Sequence, residues 1–156
     1  MYVDIHTHLT HEKFSADLQQ TIERAQAAGL GAIVVNGLEP RSNREVLQMV
    51  KRWDIIKPAL GIYPVDAVCH QLPKDNPLEV SCFDVDEEIA FIESEARAGH
   101  IAAIGECGLD GYWLEIDTFP EQERVFEALV QIAINHHLPV IIHTRKLEVR
   151  SAEILR

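Results

Sequence analysis

Short runs of β-branched and apolar residues alternate with stretches whose apolar positions recur every three to four residues, the signature of a parallel α/β sheet. Residues 1–6 read as a first strand. Residues 15–28 follow as an amphipathic helix, with Leu18, Ile22 and Ala25 on one side, Ser15 as its N-cap and Gly29 as its stop. Residues 31–36 are almost unbroken apolar, which suits a strand covered on both faces. A second helix spans 42–53, just past Pro40, and a third strand spans 55–61, ending in Gly61-Ile62-Tyr63-Pro64. Residues 65–83 read as irregular, with turn formers at Pro73, Asn76 and Pro77. The third helix, 84–98, collects Asp84, Asp86, Glu87 and Glu88 in its first turn, where the helix dipole favours negative charge. A fourth strand, 101–104, opens into a loop over 105–110, Gly-Glu-Cys-Gly-Leu-Asp. Pro120 starts a fourth helix, 120–136; residues 139–142 form a fifth strand that delivers His143-Thr144-Arg145; and 146–156 form a fifth helix.

Five βα units in succession predict an α/β fold of the TIM type, a (β/α) barrel in which only about the first five units are present. A complete barrel has eight strands and roughly 250 residues. Residues 1–156 read as a single domain, the N-terminal part of such a barrel. The alternative architecture is an open five-stranded sheet with helices on both faces. In either case an unclosed sheet edge predicts self-association.

Composition narrows the functional classes. A hydrophobic content of 47% and a charged content of 25% are ordinary for a globular protein. No apolar stretch approaches a membrane span, and Met1-Tyr2-Val3-Asp4 lacks a basic leader, so the expectation is a cytoplasmic protein with no membrane partner. Cys69, Cys82 and Cys107 form no CxxC pair, and their odd number argues against a disulfide framework. The net charge is -11, with 14 Lys and Arg against 25 Asp and Glu, which argues against a broad basic nucleic-acid surface. A small phosphodiester substrate, or a nucleic-acid end held by metals, remains compatible with that charge.

The candidate chemistry lies at the strand ends. His6 and His8, spaced i, i+2 on an extended segment, point to the same side and can reach one cation. Asp4, His6 and His8 follow strand one, Glu106 and Asp110 follow strand four, and His143 and Arg145 follow strand five. In a parallel barrel these ends share the face where active sites are built. Taken singly, Glu106 between Gly105 and Gly108 could cap a turn, and His143 could be a satisfied core histidine. Together His6, His8, Glu106 and His143 make a nitrogen and carboxylate set suited to a divalent ion. A bridging carboxylate could serve two metals, activating a water and polarising a phosphoryl or carbonyl oxygen. Arg145 could clamp a phosphate or carboxylate, and Tyr63 faces the same side, where it could contact substrate or simply pack. Cys107 reads as packing, and His11, His70 and His100 as loop or surface residues. No GxSxG, P-loop or GxGxxG motif occurs.

Four segments together resemble the TatD family of metal-dependent hydrolases, among the amidohydrolase-like barrels. They are Asp4-Ile5-His6-Thr7-His8-Leu9, Gly61-Ile62-Tyr63-Pro64, Gly105-Glu106-Cys107-Gly108-Leu109-Asp110, and Pro139-Val140-Ile141-Ile142-His143-Thr144-Arg145. The resemblance implies a TIM-like barrel, two divalent metals (Zn, Mn or Mg) and phosphodiester hydrolysis by a metal-activated water, commonly as a deoxyribonuclease. It implies that His6 and His8 bind one metal, that Glu106 bridges both as the catalytic carboxylate, and that His143 binds the second. Tyr63 stands where the family pattern Gly-x-His-Pro has histidine. A further histidine and an aspartate, expected from strands six to eight, would lie past Arg156. The alternatives are a catalytically incomplete remnant that binds metal or a partner, and an amidohydrolase-like enzyme acting on a C–N or ester bond. A lysine on strand four would favour that last branch, and Glu106 stands there instead.

Overall fold

Five strands, β1 (Tyr2–Thr7), β2 (Leu30–Asn36), β3 (Ile56–Leu60), β4 (Ala103–Asp110) and β5 (Val140–Arg145), pair in parallel and in chain order. The computed structural model describes residues 1–73, 76–78 and 80–156. The connecting helices are α1 (Leu18–Ala27), α2 (Pro40–Val50), a single turn α3 (Pro64–Ala67), α4 (Val85–Arg97) and α5 (Phe119–His136), with α6 (Glu148–Ile154) after the last strand. Because the strand order never reverses, crossovers of the usual right hand place the helices on one side of the sheet. That rules out the doubly wound alternative and leaves five units of a (β/α) barrel. The curvature is direct: His6 on β1 reaches Glu106 on β4 at 3.0 Å, whereas three strand spacings in a flat sheet would cover about 14 Å.

The core lies between sheet and helices, where Ile22, Val46, Ile92, Phe126 and Leu129 pack on Val35, Ile56, Leu60, Ile104 and Leu109. All eight residues of β4 are buried. By contrast β1 carries exposed Tyr2, Val3 and Ile5, and β1 and β5 each have one unpaired edge among the described residues. No helix among them is long and apolar enough to cross a membrane.

Several boundaries differ from the sequence expectation, for identifiable reasons. The expected loop at 105–110 is the last six residues of the eight-residue β4. Gly105 and Gly108 signal a turn, but they serve close approach to β5: a Cβ at Gly108 would stand 1.9 Å from the His143 carbonyl oxygen, and one at Gly105 2.5 Å from that of Ile141. Both have φ near +145° (143° and 146°), a conformation open to glycine. Ser15 is not the N-cap of α1; it closes a 3-10 turn, Glu12–Phe14, and the helix begins after Asp17. Helix α2 starts at Pro40 instead of 42, because the Glu39 carboxylate accepts from the Arg41 and Ser42 amides while Ser42 Oγ accepts from Glu39 N. The 65–83 stretch is irregular apart from α3 and the turn Cys69–Gln71; Lys74, Asp75 and Glu79 lie outside the described residues.

One buried polar cluster ties α2 and α4 to the end of β3. Asn43, fully buried, accepts from Gly61 N (3.2 Å) and donates to Gly61 O (2.9 Å) and to Glu88 Oε1 (2.7 Å). Arg44 pairs with the other Glu88 oxygen. Replacing Asn43 with alanine leaves both Gly61 backbone groups without that partner and weakens the hold on a buried carboxylate. The expected cost is about 2–4 kcal/mol, read as a lowered urea midpoint at unchanged slope.

Candidate metal centre

Strand β1 and the residues just beyond it present two imidazoles over the mouth of the barrel. His6 Nε2 and His8 Nε2 lie 3.2 Å apart, and each is 3.0 Å from Glu106 Oε2. Neutral rings and a carboxylate cannot make all three of these contacts good hydrogen bonds. His8 Nδ1 lies 3.3 Å from the Asn36 carbonyl oxygen, which only accepts, so Nδ1 carries the proton and Nε2 of the neutral ring holds a lone pair. That lone pair faces the Glu106 oxygen at 3.0 Å, an arrangement that calls for a cation between them, either a proton or a metal ion. Ligand atoms about 2.0–2.2 Å from a common ion stand roughly 3.0–3.4 Å from one another, so the observed triangle fits a divalent metal.

Glu106 faces two ways. Its second oxygen, Oε1, is 3.1 Å from His143 Nδ1, and His143 Nε2 is 3.0 Å from Asp110 Oδ2. Asp110 is fully buried: its Oδ1 accepts from the Tyr112 and Trp113 amides, both at 2.7 Å, and its backbone is held by the Gln122 side chain of α5. Asp110 therefore fixes the orientation of the His143 ring, leaving Nδ1 turned toward Glu106. Among the described residues, Asn36 Oδ1 is the buried side-chain atom without a hydrogen-bond partner.

The charges reinforce one another. Burial alone would raise the Glu106 pKa, but His143, His8 and His6 outweigh it and hold the carboxyl far below the usual range. The Glu106 contact raises His8 against an opposing burial effect. Burial works against a charged His143 ring, yet Glu106 and Asp110 together raise its pKa. Tyr63, whose ring meets that of His143 edge-on at 4.7 Å, is pushed up to about 12 by burial and then by Asp110 and Glu106, so it stays a neutral phenol.

The four expected ligands thus converge, with Tyr63 beside them. Arg145 lies at the exposed end of β5, its guanidinium 5.0 Å from the centre of the Tyr112 ring, and Lys146 Nζ is 4.6 Å from the same ring. Cys107 is fully buried, as its packing role required. Sequence reading did not single out Asn36, Gln122, Tyr112 or Trp113. Asn36, a polar end to an otherwise apolar strand, was the one visible signal.

These side chains, set at the strand ends of a parallel barrel, define a centre of the kind found in metal-dependent hydrolases. Residues 3–156 match the family model described as TatD related DNase, and the chain belongs to that family. It is 33% identical over 147 residues to the uncharacterized metal-dependent hydrolase YabD of Bacillus subtilis, covering 93% of this chain and 51% of that protein. It is 29% identical over 155 residues to the 3'-5' ssDNA/RNA exonuclease TatD of Edwardsiella piscicida, covering 99% and 54%. The crystal structure of YjjV, a TatD homolog from Escherichia coli, superposes with a TM-score of 0.78 at 25% identity over 99% of this chain and 54% of that one. A TatD family hydrolase from Entamoeba histolytica shares the fold, with a TM-score of 0.76 at 18% identity over 98% and 52%. The chain spans about half the length of the curated relatives it matches.

Proton and metal compete for this centre, which fixes its pH behaviour. The raised His8 and His143 contribute stability that is present below about pH 6.5 and lost as pH rises through their folded pKa values. The lowered Glu106 contributes stability that is present above about pH 4.5 and lost as pH falls. Metal-free protein is therefore expected to melt highest between about pH 5 and 6.5, while affinity for Zn²⁺ or Mn²⁺ climbs above that window. Thermal scans and metal titrations across pH check both, and Glu106→Gln should flatten both profiles.

Proposed function

We propose that the protein is a metal-dependent phosphodiesterase acting on the ends of single-stranded nucleic acid, with Glu106 as its central catalytic carboxylate. The observation that carries this reading is the His6, His8 and Glu106 triangle, with the second Glu106 oxygen turned toward His143. In this reading His6, His8 and Glu106 hold one divalent ion, and Glu106 with His143 holds a second. Such ions supply Lewis-acid polarisation of a phosphoryl oxygen and activate a water for attack.

The chain's own residues do the positioning. Asp110 keeps one ring nitrogen of His143 engaged, leaving the other for ligation. Tyr63, held as a neutral phenol, can donate a hydrogen bond to a substrate oxygen. Tyr112 and Trp113, about half exposed and packed edge-on at 4.7 Å, stand next to Arg145 and Lys146. Aromatic faces beside cations are what unpaired bases and their phosphates stack and pair on. The net charge of -11 disfavours a duplex held along a groove and leaves short single-stranded ends as the better substrate. Several relatives at about 30% identity carry the name 3'-5' ssDNA/RNA exonuclease, which supports the same choice.

Release of nucleotides from a labelled single-stranded oligonucleotide is expected only with added divalent metal. Glu106→Ala should abolish it, and full activity in excess chelator would overturn the reading. Trp113→Ala should leave metal binding intact and raise KM by roughly 5- to 150-fold, the equivalent of one lost stacking contact of about 1–3 kcal/mol.

Among the described residues β1 and β5 each have an unpaired edge, and Tyr2, Val3 and Ile5 on β1 are exposed, which supports association of the chain with a second copy of itself. Sedimentation velocity should show a concentration-dependent dimer that Ile5→Lys weakens. A monomer at every concentration overturns this proposal.

A further inference from the structure

Away from the histidine and carboxylate centre, the excursion between β3 and α4 gathers a second set of ligating atoms. Cys69 is buried in the turn Cys69–Gln71 that follows α3, and His70 is its neighbour on that turn. Cys82 stands two positions before Asp84, the N-cap of α4. Both Sγ atoms and a ring nitrogen of His70 lie within 4.8 Å of one another.

The His70 ring is already anchored. Its Nε2 lies 3.0 Å from the Phe83 carbonyl oxygen, which can only accept, so Nε2 carries the proton and Nδ1 of the neutral ring keeps its lone pair. A ligating imidazole is commonly fixed in this way, through its other N–H to a backbone carbonyl. Two thiols and an imidazole form a ligand set that suits Zn²⁺ and is a poor match for Mg²⁺ or Ca²⁺. The apolar cluster under the excursion is small: among the described residues its buried members are Val65, Val68 and Leu114. Small cores of that kind are the ones that metals or cross-links supplement.

We propose that Cys69, His70 and Cys82 bind a zinc ion that clips this excursion closed and so holds Tyr63, at its start, against His143. His70 and Cys82 are exposed, so solvent would be the fourth ligand of such an ion. Without a cation, burial and the adjacent Cys82 sulfur push the Cys69 thiol up to about 12, so Cys69 is no ready nucleophile. Zinc binding forms two Zn–S bonds and releases one proton from each thiol to solvent.

Cobalt titrated into reduced, metal-free protein tests this directly, because only thiolate ligation produces a near-ultraviolet sulfur-to-cobalt charge-transfer band. That band is expected in the unaltered chain and in Glu106→Gln, where the histidine and carboxylate centre is impaired. It should be absent from Cys82→Ser, whose substitution at an exposed position leaves the fold in place, and zinc should bleach it. Zinc should also protect Cys82 from alkylation in Glu106→Gln. Absence of the band in the unaltered chain, its survival in Cys82→Ser, or equal alkylation with and without zinc overturns the proposal.

Discussion

A carboxylate on a fully buried strand, shared by three imidazoles, is the interaction around which this molecule is organised. Glu106 has 8% of its side chain exposed, and an ionised group in that position costs free energy unless it is paired. His6, His8 and His143 provide the pairing; His6 lies on β1, His8 just past its end, and His143 on β5, the two outer strands of the described sheet. The contact therefore exists only if the sheet curls far enough for β1 to face β4 across its concave side. Barrel curvature and the charge state of the centre are coupled in this way.

The supports beneath the centre follow the same logic of satisfied burial. Asp110 is held by two amides and by Gln122, and through that hold it sets the ring of His143. Asn36 sets the ring of His8 from the end of β2. Asn43 on α2 does equivalent work at Gly61, just past the end of β3, where a Cβ would collide with the backbone of Gly105 and Glu106. Each polar residue sits where a strand runs out of backbone partners. Strand ends thus bring His6, Glu106 and His143 together, and the turn after β4 carries the exposed Tyr112 and Trp113.

Much of this was legible in the chain. Hydrophobic periodicity located all five strands and the major helices, and the i, i+2 histidines announced a shared side that the rings indeed occupy. Legibility failed where local signals served tertiary ends. Gly105 and Gly108 look like turn residues, yet they admit the β5 backbone, so a loop expected from sequence is the most buried strand of the sheet. Ser15 is a good cap by type but was drawn into a preceding 3-10 turn, and Glu39 capped α2 in a position no simple preference would select.

The sequence by itself determined the order of βα units, the residue types able to bind a metal, and the family to which they point, because periodicity and motif spacing are properties of the chain alone. Only the tertiary structure decided that His6 and His8 meet the same Glu106 oxygen, that Asp110 orients His143, and that Cys69, His70 and Cys82 converge. Those facts depend on curvature, strand register and the path of a long excursion. They are distances between residues far apart in sequence, and no local pattern of side chains encodes them.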